Sequence, residues 1–423
     1  MSEETHVVTA FLRHDGEVLL LRRSDAVGTY QGDWGGVSGY AEGDPEPQVE
    51  VEIDEEAGIG EAERTLVRTG NPLRVVDDDL DRTWVVHPFL FDVTTREVTT
   101  SEEHDTYEWV SPTTMFDRDV VPALWATYER VAPSVRSITA DDEHGASYLS
   151  TRALEVLRDR AATLVAEAEA EAEADDDAWD ELADLGKRLC RARPSMAVLR
   201  NRVNRALAGA DRTAASVLDT ATDGIHRAVT ADTDAAVRAG ALVSDRTVLT
   251  VSRSGTVLRA FDEGDPEEVY VATSEPGGEG VGVAEALVDD GPVTLLPDAA
   301  VAQAIVTGEV DAVLVGADTI LPDGTVVNKV GTRTAAVAAA HEEVPCYVVA
   351  ATDKIHTEPS VNVESGRRSA VYDGDAPLSM FNPVFDETPA HLVDAFVTER
   401  GELDPSEIDA VADELSALAD WRD

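Results

Sequence analysis

The chain has 423 residues, too many for one ordinary core, so two or three domains are expected; its 43% hydrophobic content is enough to build them. Acidic residues number 84 against 34 basic ones, and the net charge of -50 excludes a nonspecific nucleic-acid surface, because no basic patch exists to release counterions from phosphates. No apolar run reaches membrane-spanning length, and the polar opening MSEETH does not read as a signal peptide.

Nearly all the basic residues are Arg, and the only lysines are Lys187, Lys329 and Lys354. An acid-rich, lysine-poor composition resembles that of proteins from salt-loving organisms. Molar salt shortens the Debye length to about 3 Å, which keeps such a surface compact despite self-repulsion. Partial unfolding at low salt is therefore expected. Cys190 and Cys346 lie far apart and form no metal or redox motif, so a reduced, cytoplasmic setting is expected.

In the first segment, residues 1–133, strand-like runs fall at 6–12, 17–22, 84–93 and 107–111, with a helical stretch at about 45–57. Pro133 and the polar run after it mark a boundary. The second segment, 134–240, reads as helices, with Leu and Ala at helical spacing from Leu149 to Leu164, Leu182 to Leu189, Met196 to Leu207 and Val217 to Val229. Its acidic stretch at 167–177 reads as a solvated helix end or loop. The third segment, 241–423, alternates helical patterns with apolar runs at 247–251, 268–272, 293–296, 312–316, 346–350 and 394–398. That alternation predicts a parallel sheet covered on both faces, with ligands at the carboxyl ends of its strands. Asp318 follows one such run.

Residues 39–59 end in Glu52-Ile53-Asp54-Glu55-Glu56-Ala57-Gly58-Ile59. Glu52, Glu55 and Glu56 are spaced i, i+3 and i+4, so the three carboxylates share one helix face. Such hard oxygen ligands suit Mg²⁺ or Mn²⁺. Acidic residues are common enough that three chosen positions are all acidic about 1% of the time by chance. The glycines, tryptophan and strands around them lift the signal above that background.

With LLLRRS at 19–24, WGGVSG at 34–39 and YEWVSP at 107–112, residues 1–133 resemble a Nudix domain. The resemblance implies an α/β/α sandwich that cleaves diphosphate linkages in compounds of a nucleoside diphosphate joined to another group. Val51 stands where that family carries Arg, and the segment between Gly39 and Glu52 is about two residues short. Glu42 or Asp44 is the stand-in for an earlier family Glu. Glu102 and Glu103, on a later loop, read either as a solvated acidic loop or as the source of a general base.

Residues 314–332, LVGADTILPDGTVVNKVGT, deliver a carboxylate, an amide and a rare ammonium within a dozen residues. Together with segments 142–146, 193–197, 296–300 and 382–386, they resemble the family that joins the regulatory subunits of initiation factor 2B to isomerases of ribose 1,5-bisphosphate and methylthioribose 1-phosphate. The resemblance implies a helical domain at 134–240, a Rossmann-like domain at 241–423 and a homo-oligomer. It makes Asp318 the catalytic aspartate and places Gly316, Asn328, Lys329 and Arg193 at a sugar or phosphate pocket. Arg193 and Lys354 read equally as members of structural salt bridges, and Asp318 as a turn cap.

The family's second catalytic group is a cysteine, and Ser252 holds that position here. A serine hydroxyl has no accessible pKa near neutrality without an adjacent base. At Ser274-Glu275-Pro276 the isomerases carry Thr-Arg-Pro, so Glu275 replaces a phosphate fork with a repelling charge. The leading expectation is a Mg²⁺- or Mn²⁺-dependent diphosphate hydrolase fused to a domain that binds a phosphorylated sugar or nucleotide. The alternatives are a non-catalytic regulatory or ligand-sensing protein, and an aldose-ketose isomerase using Asp318 and Ser252.

Overall fold

The structure, a computed structural model, describes residues 3–141, 144–171, 177–361 and 365–422. Asp142 and Glu143 of the segment 142–146, and residues 172–176 of the acidic run, lie outside the described residues. The chain is mixed α/β, with an N-terminal sheet region, a helical middle and a C-terminal parallel sheet. It divides into two compact units. Unit 1 comprises Met1–Ser137, Glu155–Leu182 and Asp211–Ile225; unit 2 comprises Ile138–Leu154, Ala183–Ala210 and His226–Asp423.

Unit 1 holds an eight-stranded sheet of β1 (Glu3–His14), β2 (Glu17–Arg23), β3 (Trp34–Gly35), β4 (Val37–Tyr40), β5 (Arg64–Thr69), β6 (Leu73–Asp77), β7 (Arg82–Val93) and β8 (His104–Val110). β1 runs parallel to β7 and antiparallel to β2 and β4. The β1–β2 hairpin turns on Asp15-Gly16, both at positive φ, as a two-residue connection requires. Alternation along β1, β2 and β7 fills two cores. Val8, Ala10, Leu12, Leu19, Leu21, Phe89 and Phe91 pack under Val49 and Ile53 of helix α1 (Pro45–Glu56). Phe11, Val18, Leu20 and Leu90 pack on the opposite face against Met115, Leu124 and Tyr128. Asp44 caps α1 with Pro45 behind it, and Gly58 at φ 66 ends it.

The remaining helices are α2 (Leu124–Tyr128), α3 (Val135–Ala140), α4 (Ala146–Glu171), α5 (Ala178–Ala192), α6 (Ala197–Ala208), α7 (Ala214–Val243), α8 (Gly255–Gly264), α9 (Glu279–Leu287), α10 (Val301–Thr307), α11 (Thr332–His341) and α12 (Ile408–Ala417). The four helices expected from the middle segment are present as α4 to α7. Among the described residues no helix is long and apolar enough to cross a membrane.

Unit 2 is built on β9 (Thr247–Val251), β10 (Glu268–Ala272), β11 (Val293–Leu296), β12 (Ala312–Val315), β13 (Thr319–Ile320), β14 (Val326–Lys329), β15 (Cys346–Val349), β16 (Phe385–Thr388), β17 (Ala395–Thr398) and β18 (Gly401–Leu403). The main sheet runs β11-β10-β9-β12-β15-β17-β18, parallel up to β17 and antiparallel at β18. Its two faces bury separate apolar layers, as a sheet covered on both sides must. Strand order reverses between β9 and β12, the place where doubly wound sheets open a ligand crevice. A small sheet, β13-β14-β16, carries the residues that follow Asp318.

Candidate functional site

In unit 1 a cavity of about 490 Å³ lies over β1, β4 and α1. Its wall includes Glu42, Glu52, Glu55 and Glu103 with Arg23, and elsewhere Tyr30, Tyr40, Val75, Trp84 and Val86. Glu52 lies across β4 because residue 39 is glycine: a Cβ there would meet its carboxylate at 2.0 Å. Gln48, one turn back on α1, donates to Glu52 Oε1 at 2.7 Å. Glu55 is exposed. Glu56 is buried, off the cavity wall, and accepts the Ser38 N–H at 2.9 Å. Of the two acidic residues on the later loop, Glu103 reaches the cavity; Glu102 is absent from its lining, and its backbone carbonyl accepts the Ser24 hydroxyl. Of the two stand-ins for the earlier Glu, Glu42 lines the cavity and Asp44 caps α1.

Burial, and then the charges of Glu55 and Glu103, hold Glu52 above the usual carboxylate range against the Gln48 bond. Burial pushes Glu56 up to about 8, with the Ser38 bond and Arg23 pulling the other way and Glu52 and Glu103 adding to the rise. His104, with Nε2 at 4.0 Å from Glu56, is pushed down to about 4 by burial and by Arg23. Arg23, at the end of β2, thus supplies positive charge that the helix lacks, since Val51 is exposed and apolar. The other face of α1 is held by Arg64, which pairs with Glu50 and Asp54.

The carboxylates are of the hard oxygen type that suits a divalent cation. Among the described residues no three His, Cys, Asp or Glu side chains converge as one coordinating set.

The other part of the cavity is aromatic. Tyr40 is 56% exposed, its ring 6.4 Å from that of buried Trp84. Arg82 lies 4.8 Å above the Trp84 ring, and the Trp84 indole N–H donates to Tyr30 Oη at 2.8 Å. Tyr30 donates in turn to Asp77, and burial with that bond pushes its hydroxyl up to about 12.

In unit 2 the loops after β9, β10, β11 and β12 meet at the crevice. Gly316 follows β12, and a Cβ there would sit 2.7 Å from Ser254 Oγ, the cap of α8. Ser252, at left-handed φ 65, donates its backbone N–H to Ser274 Oγ at 2.7 Å. Among the described residues none holds a hydrogen bond to the Ser252 hydroxyl. Asp298 accepts the N–H groups of Ser274 and Glu275 at 2.7 and 2.6 Å.

Asp318, half-buried, begins the small sheet and donates its N–H to Val327 O at 3.0 Å. Buried Asn328 donates to Thr332 Oγ1 at 2.9 Å, which donates to Lys329 O at 2.7 Å. Lys329 forms an ion pair with Glu279 at the start of α9. Lys354 is buried and donates to Ala317 O at 2.7 Å. Arg193 donates to Ile138 O at 3.1 Å, and its loop reaches the small sheet where Ser195 O accepts from Thr319 Oγ1 at 3.1 Å. Cys346 is a buried residue of the core.

The structure therefore brings Gly316, Asp318, Asn328, Lys329 and Ser252 to one sheet end. Sequence reasoning missed Arg23 as the charge beside Glu56, Tyr40 and Trp84 as a wall, and Asp298, Asp386 and Glu279 as partners of the crevice. Asp298 and Asp386 lie in segments already singled out; only their contacts reveal their roles. Asp386 accepts the N–H groups of Gly331 and Arg333 and so holds the start of α11.

Comparison with known proteins matches this layout. A NUDIX domain model matches residues 4–131, and the model of the Initiation factor 2 subunit family, IF-2B, matches residues 142–405. The chain is 33% identical over 317 residues to a ribose 1,5-bisphosphate isomerase of Haloterrigena turkmenica, covering 67% of this chain and 94% of that protein. The solved translation initiation factor eIF-2B of Pyrococcus horikoshii OT3 superposes with a TM-score of 0.54 at 25% identity, covering 64% of this chain and 95% of that one. The tetrameric eIF2B-beta2-delta2 complex from C. thermophilum gives 0.51 at 19% identity, covering 71% and 97%, a likeness of fold alone. With the family model spanning most of unit 2 and a close relative matched over nearly its whole length, the chain belongs to the Initiation factor 2 subunit family and carries a NUDIX domain ahead of the family region.

Proposed function

We propose that the NUDIX domain hydrolyses a nucleoside diphosphate-linked compound, and that the IF-2B region binds a phosphorylated sugar or nucleotide. The observation that carries the first half is the pairing, in one cavity, of Glu52, Glu55 and Glu103 with the exposed ring of Tyr40 over Trp84. Carboxylates suit a cation on the diphosphate; an aromatic face suits a base. Glu52 and Glu55 would hold Mg²⁺ or Mn²⁺, with buried Glu56 behind them. When bound, the cation neutralises the diphosphate and makes water more acidic. Glu103, on the cavity wall and not on α1, would take a proton from the attacking water. Arg23 offsets the local negative charge.

The test is a panel of nucleoside diphosphate compounds, ADP-ribose among them, with Mg²⁺ or Mn²⁺ in molar KCl. Hydrolysis abolished by Glu55→Gln supports the reading. Release that survives that substitution, or no release from any compound, refutes it.

For the IF-2B region, Gly316, Asp318, Asn328 and Lys329, with Arg193 nearby, form the proposed pocket. Ser252 follows β9, the strand next to β12, which favours a second reading: aldose-ketose isomerisation between Asp318 and Ser252. Ribose 1,5-bisphosphate turnover lost in both Asp318→Asn and Ser252→Ala supports it; binding without turnover leaves a ligand-sensing role. Self-association through this region, as in the tetrameric neighbour, and a cytoplasmic, high-salt setting complete the reading. Light scattering in molar KCl tests the former: a monomer overturns it.

A further inference from the structure

The ion pair between Lys329 and Glu279 has no counterpart in the pocket just proposed, and the inference drawn from it rests on that reading. Lys329 sits at the end of β14, its backbone fixed through Thr332. Glu279 is the first residue of α9, after two glycines. Gly278 takes a left-handed φ of 75, and a Cβ at Gly277 would lie 2.5 Å from the Glu279 carboxylate. The glycine pair therefore lets this side chain fold back towards Lys329. One carboxylate oxygen engages the ammonium, and the other, Oε2, is buried with no hydrogen-bond partner among the described residues. A buried carboxylate oxygen without a donor is costly, so the pair is poorly satisfied as it stands.

We propose that Glu279 is a built-in competitor for the ligand's phosphate. It neutralises Lys329 in the ligand-free protein and must be displaced for an anion to bind there. The pocket then discriminates by charge: a phosphate dianion outcompetes one carboxylate on one ammonium, whereas a neutral sugar gains nothing from the exchange. Phosphate esters pass from monoanion to dianion near pH 6, so the contest favours the ligand at neutral pH.

The experiment is calorimetric titration of the full chain, in molar KCl at pH 7.5, with ribose 1,5-bisphosphate and with ribose. Three variants are compared with the parent: Glu279→Gln, Lys329→Ala and the double variant. Glu279→Gln should bind the bisphosphate on the order of ten-fold more tightly, and ribose no better than before. Lys329→Ala and the double variant should lose the bisphosphate. Loss of an acidic residue from the first turn of α9 lowers the melting temperature slightly, opposite in sign to the affinity gain, so a structural effect does not mimic the result. Bisphosphate binding that is unchanged or weaker in a folded Glu279→Gln overturns the competitor and leaves the pocket reading standing. No bisphosphate binding in the parent or in Glu279→Gln overturns both.

Discussion

Replacing Glu56 with Gln isolates the electrostatic cost of the unit 1 cavity. Glu56 is 4% exposed, and burial raises its pKa from 4.5 to about 8. At about 1.4 kcal/mol per pH unit, the ionised form is disfavoured by on the order of 5 kcal/mol. Relaxation and water entry reduce such penalties, and about 2–4 kcal/mol is the measurable expectation. The sign follows from proton counting. Between pH 4.5 and about 8 the folded protein keeps a proton that the unfolded chain has released. That stability is fully present below pH 4.5 and is lost as the pH rises through about 8. Gln keeps the size and the acceptor for Ser38 N–H, and its amide faces the neutral His104 ring, whose Nε2 lies 4.0 Å from Glu56.

The assay is urea unfolding at fixed molar KCl with a chelator present, followed by tryptophan fluorescence. Trp34, Trp84, Trp109 and Trp125 all report on unit 1. The parent and Glu56→Gln should be nearly equal at pH 5, and the variant should be more stable by about 2–4 kcal/mol at pH 9. Adding Mg²⁺ should narrow the gap at pH 9. A gap that stays constant from pH 5 to 9 refutes the reasoning.

Tyr40→Ala should raise KM for a nucleoside substrate by roughly three- to ten-fold with little change in kcat, the effect of losing one aromatic face; an unchanged KM removes Tyr40 from the site. Asp386→Ala leaves the N–H groups of Gly331 and Arg333 without their acceptor and should cost about 0.5–2 kcal/mol in urea unfolding. With a net charge of -50, the melting temperature should rise strongly between dilute buffer and molar KCl, and equal melts at the two salt levels would show that repulsion does not limit this fold.

The parts of the fold most legible in the sequence are those with the plainest physics. β9, β10 and β11 occupy the expected runs because buried parallel strands are continuous apolar stretches between polar loops. α1 falls within the helical stretch expected at about 45–57. β5 and β6 were not, because their half-exposed residues mix polar and apolar types without a clean period. β13, two residues long, has no period to detect, and α7 continues to Val243 past the expected Val229 because alanines keep one face buried. The catalytic candidates showed the same division. Glu52, Glu55 and Glu56 stand together in the sequence, so their spacing announced them. Arg23, Tyr40 and Trp84 come from three separate strands, and only sheet pairing brings them to one wall with Glu103. The sequence could place Val51 where a cation was wanted, but not say that β2 provides one.

The crevice of unit 2 presents three anion-seeking features, and each meets a carboxylate of the chain itself. Asp298 takes the N–H groups of Ser274 and Glu275; Asp386 takes those of Gly331 and Arg333; Glu279 takes Lys329. These are not equivalent. Asp298 and Asp386 each hold two backbone donors, charge-assisted bonds worth roughly twice a neutral one, and they fix the loop after β10 and the start of α11. Removing either exposes backbone groups, so both belong to the framework. Glu279 holds one flexible ammonium through one oxygen and leaves the other unsatisfied. Of the three, it is the carboxylate whose departure costs least. On the proposed reading, a ligand phosphate entering between Asp318 and Lys329 has one exchangeable place to take. On that reading Glu275 adds no further cation beside Lys329, so the contest with Glu279 decides how tightly a phosphate is held at that ammonium.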